Sequence, residues 1–245
     1  NRHRSVSSIM SEIHECVARH GIANFLFRSE LFTQNERWVS ELCQAIIDSG
    51  LKISWACNSR VDTVSPKMLN LMKQAGCWIM AFGVESGDQF TLDRLDKRAR
   101  VADSLKAIEL VRAAGIKSSV YLLIGLPWDT KETIEQQAIF AQKLDPDLLE
   151  VFYPYPFPGT PLYDQAVKAG LLAANDFSGD AYSDPVMPTE HLSIAELKGL
   201  RKEILRRFYV RPRIIIRTLA RVKSFKEFIN YAHVGAAQLR SIMTA

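Results

Sequence analysis

The sequence has few cysteines, and their spacing matches no common metal-binding motif. There are four among 245 residues, 27, 14 and 20 positions apart, so no pair forms CxxC or CxxxC. A small disulfide-linked scaffold is excluded, because such proteins carry cysteines at far higher density. We therefore expect reduced, mostly buried thiols that bind no metal. They are Cys16, Cys43, Cys57 and Cys77.

Long hydrophobic runs are absent as well. The longest uncharged stretch, residues 151–163, has 13 residues, whereas a helix that crosses a bilayer needs about 20. Residues 1–5 are polar and lack the apolar core of a signal peptide. With 47% apolar and 24% charged residues, the composition is that of an ordinary globular protein. These features predict a cytoplasmic protein with one large domain, alone or with an extension.

Charge is distributed unevenly along the chain. The net charge is +4, but residues 191–245 contain 12 Lys and Arg against 3 Asp and Glu, which leaves 19 against 24 in residues 1–190. Seven of the ten prolines lie between Pro146 and Pro188, a density that is typical of loops and linkers. We therefore predict a domain over residues 1–172, a linker over 173–190 and a basic helical extension over 191–245.

The basic extension is predicted to begin with a helix and to carry a stripe of arginines. Ser193-Ile-Ala-Glu196 is a capping box, and Arg213, Arg217 and Arg221 recur every four residues. A basic amphipathic helix can bind an anionic membrane or an acidic partner, or it can pack on the domain with a solvated charged face. Nucleic-acid binding is disfavoured, because aromatic platforms and known modules are missing.

Residues 1–172 alternate short apolar segments with amphipathic helical ones, and this unit recurs about every 25–40 residues. The apolar segments are almost continuous, which predicts a parallel sheet buried on both faces. Five such units, with a leading helix over residues 6–19 that should follow a further strand, predict a (β/α) barrel or partial barrel. An open doubly wound sheet is the alternative, although the Rossmann glycine signature is missing. Strands are predicted near Asn24, Ile53, Trp78, Ser119 and Leu148, and helices over residues 6–19, 36–48, 65–75, 101–114, 131–144 and 161–168.

Parallel barrels bind ligands at the carboxyl ends of their strands, so polar residues there are candidate site residues. Glu85 is the most informative, because it directly follows the apolar Phe82-Gly-Val. A buried carboxylate must meet a cation or several hydrogen-bond donors. Glu85 could hold the ammonium or hydroxyl groups of a ligand, or it could form an internal ion pair with Arg60 or Lys97. The sequence favours neither interpretation.

Gly125-Leu-Pro-Trp-Asp-Thr is predicted to be a strand-to-helix turn in which the glycine allows a close approach of the backbone. Asp129 and Thr130 would cap the next helix. The turn could serve packing alone, and it lacks the spacing of a phosphate-binding loop. Only His14 and His20 lie in the predicted βα region, so no Ser/His/Asp or Cys/His nucleophile set is predicted.

Short motifs follow the predicted strands in a definite order. They are Phe27-Arg-Ser-Glu-Leu-Phe-Thr33, Trp55-Ala-Cys-Asn-Ser-Arg-Val-Asp62, Gly76-Cys77, Gly83-Val-Glu-Ser-Gly87, Gly115-Ile116, Gly125-Leu-Pro127 and Phe157-Pro-Gly-Thr-Pro-Leu-Tyr163. Each is weak alone. In this order and spacing they resemble the radical S-adenosylmethionine (SAM) superfamily, in the branch that carries a cobalamin-binding domain. The resemblance covers residues 4–172.

The resemblance implies a partial (β/α)6 barrel, here lacking its first strand, that binds SAM across its strand ends. It also implies a 4Fe-4S cluster, on a CxxxCxxC loop after the first strand, that cleaves SAM to a 5′-deoxyadenosyl radical. The implied cofactor-binding residues are Glu85 and Ser86 for the ribose and methionine end, Lys97 for the methionine carboxylate, Ile124, Gly125, Leu126 and Pro127 for the adenine, and the backbone of Phe152 and Tyr153. The implied residues on the substrate or cobalamin side are Arg28, Glu30, Arg60 and Tyr155. A salt bridge from Lys97 to Asp93 or Asp96 is an equal alternative.

The sequence departs from the family at the cluster motif. CxxxCxxC should precede the helix at Val6, and none of the four cysteines has that position or spacing. Since the first residue is also not Met, we expect a fragment, with the cluster loop and a cobalamin-binding domain encoded upstream. Alone it would bind no cluster, and the strand at Asn24 would be an unpaired edge.

The leading hypothesis is the SAM- and substrate-binding portion of a cobalamin-dependent radical SAM enzyme. Its reaction would be methyl transfer, cyclisation or rearrangement on a small organic substrate. The expected partners are the upstream cobalamin-binding domain, a flavodoxin- or ferredoxin-type reductant and, through the basic helices, a membrane surface. The alternatives are a methylthiotransferase acting on RNA or protein, and a non-catalytic barrel that binds a ligand or partner.

Overall fold

A single parallel sheet organises the computed structural model, which describes residues 3–29, 31–172 and 184–220. The strands are β1 (Asn24–Phe27), β2 (Ser54–Ser59), β3 (Cys77–Glu85), β4 (Lys117–Leu123) and β5 (Leu148–Phe152). They lie in the order β1-β2-β3-β4-β5, with Asn24 opposite Ser54 and Trp55 opposite Cys77 in the first two pairs. Strands adjacent in sequence are adjacent in the sheet, as successive βα units require. The predicted parallel α/β fold is confirmed and is consistent with a partial barrel.

Helices follow the strands at nearly the predicted positions, because capping residues define where they begin. They are α1 (Val6–His20), α2 (Glu36–Asp48), α3 (Pro66–Gln74), α4 (Gln89–Arg94), α5 (Val101–Ala113), α6 (Lys131–Leu144), α7 (Pro161–Lys168), α8 (Ile194–Tyr209) and α9 (Pro212–Leu219). Ser5 caps α1 by accepting a hydrogen bond from the Ser8 amide. The predicted capping box of Ser193 and Glu196 opens α8.

Two features of the fold differ from the prediction. The sequence did not predict α4, which has only six residues. The side chain of Gln89 stabilises it, because its Nε2 donates to Asp93 and its Oε1 accepts from the Val101 amide. The expectation that the strands are buried on both faces is wrong for β1, which has no buried residue, and for β2 and β5, in which buried residues alternate with more exposed ones. In β2 the reason is that small or polar side chains alternate with buried ones such as Trp55.

The chain divides into two compact units. Unit 1 comprises the described residues of Asn1–Val84, Gln89–Tyr121 and Leu144–Leu148, and unit 2 those of Glu85–Asp88, Leu122–Lys143 and Leu149–Ala245. In unit 1 the core is built around Trp55, whose ring lies 5.2 Å from that of Phe27 and 5.4 Å from that of Phe32. Its indole N–H donates to the Ala75 carbonyl at 2.7 Å, so this large side chain is buried with its polar atom satisfied.

Strand β1 lies at the edge of the sheet. Among the described residues its sheet partner is β2 alone, as expected for an edge strand. An open cavity of about 410 Å³ lies beside it in unit 1, lined mainly by residues of α1 and β1. The Leu26 side chain is 59% exposed on this strand. The edge therefore presents apolar surface that a neighbouring segment could cover.

Candidate functional site

The chain leaves β3 through a strained turn, Glu85–Asp88, which belongs to unit 2. Glu85 has a φ angle of +65°, in the left-handed region, where a residue with a Cβ loses about 1–2 kcal/mol. Its side chain is half-buried, and the next residue, Ser86, is fully buried. Residues held in such conformations need support from their surroundings and cluster at functional sites. The turn is therefore the first candidate site.

Helix α6 supplies that support through Gln137, a buried side chain in the same unit. Its Nε2 donates to Ser86 Oγ at 2.6 Å, and its Oε1 accepts from the Gly87 amide at 2.9 Å. Ser86 Oγ also accepts from the Asp88 amide at 3.0 Å. A Cβ on Gly87 would lie 2.2 Å from the Phe140 ring, so glycine is required for this approach to α6.

A second turn follows β4 and is closed by the carboxylate of Asp129. Gly125 has a φ of +89°, and its amide donates to Asp129 Oδ2 at 2.8 Å, while the Leu126 amide donates to the same oxygen at 3.0 Å. The Ile124 amide donates to the Phe152 carbonyl at 3.1 Å. These amides are therefore satisfied within unit 2 itself.

Asp129 is an unusual carboxyl group because it is only 5% exposed. Burial raises its pKa to about 6, against the opposing effect of the two backbone amides, and the nearby charge of Asp88 adds to the increase. The carboxyl thus changes its charge close to neutral pH. Since the carboxyl closes the turn at Gly125, we expect the stability of the turn to depend on pH.

The segment before α8 is hydrogen-bonded to this second turn. Thr189 Oγ1 donates to the Asp129 carbonyl at 2.9 Å, and the Glu190 amide donates to the Pro127 carbonyl at 2.9 Å. The Tyr153 hydroxyl donates to the Leu197 carbonyl of α8 at 3.2 Å. A Cβ at Gly125 would come within 3.3 Å of the Leu197 side chain. Within unit 2, α8 and its preceding segment therefore cover the Gly125 turn.

Side chains of α8 also bond the backbone of β5. Arg201 Nε donates to the Val151 carbonyl at 2.7 Å. The Tyr209 hydroxyl accepts from the Leu149 amide at 2.9 Å and donates to the Leu149 carbonyl at 2.8 Å. The Arg201 guanidinium additionally lies over the Tyr153 ring, 5.8 Å from its centre. Residues of α8 thus satisfy polar groups of β5 that a further strand would otherwise satisfy.

In unit 1, the side chain of Arg60 binds the backbone carbonyl of Lys97, and both are predicted site residues. Arg60, named above as a potential partner of Glu85, forms a two-bond ion pair with Asp62, at 2.8 Å for each bond, and donates to the Lys97 carbonyl at 2.8 Å. Arg60 lowers the pKa of Asp62. Lys97 is half-buried and lies between Asp96 and Arg98, which have positive φ angles and pair with each other. Arg60 thus anchors the loop that carries Lys97.

The structure describes two of the three remaining predicted site residues. Arg28 is exposed after β1, Tyr155 is half-buried after β5 with its ring 4.7 Å from that of Phe157, and Glu30 lies outside the described residues. The structure thus brings Glu85, Ser86, residues 124–127, Phe152 and Tyr153 into unit 2, and Arg28, Arg60 and Lys97 into unit 1. Their roles as ligand contacts stay predictions.

Sequence reasoning missed the two side chains that hold the turns. Asp129 was predicted only as a helix cap, although its position four residues after Gly125 is a usable signal for a carboxylate that closes a turn. Gln137 carried no sequence signal, because a single buried amide on a helix resembles any other polar helical residue. Its partner Ser86 is 51 residues away along the chain.

The cysteines do not form a metal site. Cys43, Cys57 and Cys77 are buried in unit 1, where burial raises the pKa of Cys43 to about 12 and that of Cys57 well above its ordinary value. Thiols with raised pKa values stay protonated, and metals bind the thiolate. In the described part of the chain, no cluster of three or more His, Cys, Asp or Glu side chains could hold a metal. A 4Fe-4S cluster therefore does not fit these residues.

Parallel strands with polar turns at their carboxyl ends define an α/β protein of the kind that binds ligands at one end of its sheet. The family model of the radical SAM superfamily matches residues 1–140, and the chain belongs to that superfamily.

Two relatives extend the match along most of the chain. This chain is 30% identical over 218 residues to an uncharacterized methyltransferase of Pyrococcus horikoshii, and the match covers 89% of this chain and 48% of that protein. It is 31% identical over 214 residues to the anaerobic magnesium-protoporphyrin IX monomethyl ester cyclase of Cereibacter sphaeroides, covering 86% of this chain and 35% of that protein. The chain thus spans about half or less of the length of these relatives.

Solved structures of radical SAM enzymes share the fold. The methyltransferase TsrM from Kitasatospora setae, with cobalamin and a 4Fe-4S cluster bound, is 18% identical with a TM-score of 0.61 over 79% of this chain and 40% of its own. The cobalamin-dependent enzyme OxsB is 14% identical with a TM-score of 0.67 over 97% of this chain and 41% of its own. Among the described residues, no helix is long and apolar enough to span a membrane.

Proposed function

We propose that this chain forms the SAM- and substrate-binding portion of a cobalamin-dependent radical SAM enzyme. Membership of the superfamily supports the use of SAM. Relatives named as a methyltransferase and as a cyclase support methyl transfer or ring formation on a small organic substrate. The similarity to TsrM and OxsB extends over most of the chain and supports cobalamin as a further cofactor.

The observation that carries the proposal is the strained turn at Glu85. Its half-buried carboxylate belongs to the last residue of β3, and the left-handed backbone is held by hydrogen bonds from Gln137 to the next two residues. A carboxylate in this setting accepts hydrogen bonds from ammonium or ribose hydroxyl groups, as the methionine and ribose ends of SAM offer. Ser86 Oγ already binds Gln137 and the Asp88 amide, so Ser86 would act by shaping the turn.

The adenine of SAM would lie beside the second turn. Ile124 and Leu126 are buried, and their amides bind Phe152 and Asp129. Since α8 and the segment before it cover this turn, these residues would shape the adenine pocket from behind and donate no hydrogen bond to the ring. SAM supplies the methyl group or the 5′-deoxyadenosyl group for the reaction, while these residues orient it and exclude water.

The iron–sulfur cluster requires residues other than the four cysteines. Cys43, Cys57 and Cys77 are buried in the unit 1 core, and burial raises the pKa values of Cys43 and Cys57. We propose that a CxxxCxxC segment belongs to a longer protein of which this chain is a part, together with a cobalamin-binding domain and a flavodoxin- or ferredoxin-type reductant as partner. The share of the relatives that the chain covers supports this.

The test of SAM binding uses Glu85→Gln, with the exposed Glu109→Gln on α5 as a matched control. In the protein expressed from the complete reading frame, Glu85→Gln should weaken SAM binding by about 1–3 kcal/mol, the cost of a lost charged hydrogen bond. Isothermal titration calorimetry under anaerobic conditions gives the affinity. Equal affinities of the wild type and Glu85→Gln for SAM would show that Glu85 is not part of the binding site. A complete reading frame without CxxxCxxC would instead favour a non-catalytic binding module.

The basic C-terminal helices are a separate proposal. α9 carries Arg213 and Arg217 and exposes Ile215, Ile216 and Leu219, whereas Arg221 lies outside the described residues. Such a helix supports contact with an anionic membrane. Cosedimentation of the protein with vesicles containing anionic lipids should occur at low salt and be lost at high salt. Absence of binding at low salt would leave α9 as a packed helix.

A further inference from the structure

One buried side chain outside the predicted site makes both of its polar contacts to the strained turn. We propose that Gln137 is a positioning residue that fixes the Glu85–Asp88 turn in the conformation that receives the ligand. The inference rests on the proposed function for the identity of the ligand, SAM, and on the contacts within unit 2 for the mechanism.

The chemistry of the contact suits an amide. Gln137 must donate to Ser86 Oγ and accept from the Gly87 amide at the same time, and a carboxamide carries one donor group and one acceptor group in a fixed plane. A carboxylate would offer acceptors only, so the Ser86 hydroxyl would have to turn and donate to it, and an apolar side chain of the same length would offer neither group. Because Gln137 is 5% exposed, a polar group left without its partner there would be costly.

Helix α6 also supports the Glu85–Asp88 turn through an apolar contact. Phe140 lies three residues after Gln137, on the same side of α6. Its ring packs so closely against Gly87 that a Cβ would lie 2.2 Å from it. The turn is therefore held at one point by hydrogen bonds and at another by contact with an aromatic ring.

These contacts explain how Glu85 keeps a left-handed backbone. Its φ of +65° is unfavourable for a residue with a Cβ, so the free turn would relax to other conformations. Ser86 and Gly87 follow immediately, and Gln137 fixes both of them. The direction of the Glu85 carboxylate is then set before a ligand arrives, which lowers the entropy cost of binding.

Gln137 acts through the turn rather than on the ligand. Both of its polar groups are used by residues 86 and 87, and the side chain is buried. Loss of Gln137 should therefore change the order of the turn and, through Glu85, the affinity for SAM. A residue that only stabilises the fold would change the free energy of unfolding without this specific coupling.

The experiment compares Gln137→Met with Gln136→Met, a neighbouring exposed glutamine on the same helix. In the protein from the complete reading frame, Gln137→Met should reduce the affinity for SAM about tenfold. It should also increase hydrogen exchange at the Gly87 and Asp88 amides, measured by mass spectrometry on the ligand-free protein. Gln136→Met should change neither quantity.

A double-mutant cycle separates positioning from general destabilisation. If Gln137 acts through Glu85, the effect of Glu85→Gln on SAM affinity will be smaller in the Gln137→Met background than in the wild type. Additive effects, or unchanged exchange at Gly87 and Asp88, would overturn the inference while leaving SAM binding intact. If the wild type binds no SAM, the proposed function fails instead, and the exchange measurement alone then decides whether Gln137 orders the turn.

Discussion

A buried carboxyl group that accepts two amide hydrogen bonds should make stability depend on pH. The pKa of Asp129 is about 6 in the folded protein, above its ordinary value of 3.8. Between these values the unfolded chain loses the proton while the folded protein keeps it, so the free energy of unfolding falls as pH rises. We expect a decrease of about 3 kcal/mol, from about pH 4 to about pH 7, relative to Asp129→Asn.

Asparagine is the suitable reference because its side-chain oxygen can accept the same two amides without carrying charge. Urea unfolding of both proteins across this pH range gives the difference, in which contributions of other groups cancel. Asp129→Ala should be destabilised at every pH, since the Gly125 and Leu126 amides lose their acceptor. Parallel stability curves for the wild type and Asp129→Asn would contradict the raised pKa.

The close contact of Gly87 with Phe140 gives a second residue-level prediction. Gly87→Ala should lower the free energy of unfolding by about 1–3 kcal/mol, because the added methyl group collides with the ring. Gly199 is the matched control: it is exposed in α8 with open space around it, so Gly199→Ala should raise stability by up to about 1 kcal/mol. Thermal unfolding followed by circular dichroism measures both. Equal effects of the two substitutions would contradict the contact.

Among single residues, the sequence identified Glu85, whose signal is local, and missed residues whose contacts join distant parts of the chain. Glu85 stood out because a carboxylate directly follows an apolar strand. Its left-handed backbone and its support by Gln137 depend on α6, which begins 46 residues later. The hydrogen bond from Thr189 to the Asp129 carbonyl likewise joins residues 60 apart. Pairings of this kind follow from packing, which no local pattern encodes.

Among the elements, α8 has a role that its basic composition did not reveal. Its Tyr209 hydroxyl bonds both the amide and the carbonyl of Leu149 in β5. Tyr209→Phe keeps the ring but leaves two backbone groups without a partner. We expect a loss of about 1–3 kcal/mol in the free energy of unfolding, measured by urea titration.

Tyr209→Leu provides the comparison, since it removes the ring as well and should cost more. If Tyr209→Phe were as stable as the wild type, water would replace the hydroxyl at β5 and α8 would not be needed to satisfy the strand. Burial also raises the pKa of Tyr209, so the hydroxyl keeps its proton at neutral pH and can donate to the carbonyl.

Elements were predicted best where their ends carry their own signals. Gly, Ser and Pro define the ends of α1, α3 and α7, and the observed bounds lie within one residue of the predicted ones. α4 was missed because six residues are too few for a helical period to emerge. Strand positions followed from apolar segments, but the alternating burial of β2 depends on what covers each face of the sheet.

In the molecule as a whole, the basic C-terminal part of the sequence also has its own structural role. The basic residues after His191 belong largely to α8 and α9 in unit 2, where Arg201 bonds a strand and Arg206 and Arg207 pair with Glu203. Some of the positive charge is therefore used within the unit. The division into residues 1–172, 173–190 and 191–245 stays a prediction.

The cysteines also have an unequal distribution, since all four precede residue 78 and belong to unit 1. Cys16 is half-buried, whereas Cys43, Cys57 and Cys77 are buried. A thiol-specific alkylating reagent should therefore modify Cys16 quickly and the other three only when unit 1 opens. Counting the added groups by mass spectrometry at successive times would then measure the rate at which unit 1 opens, without any engineered label.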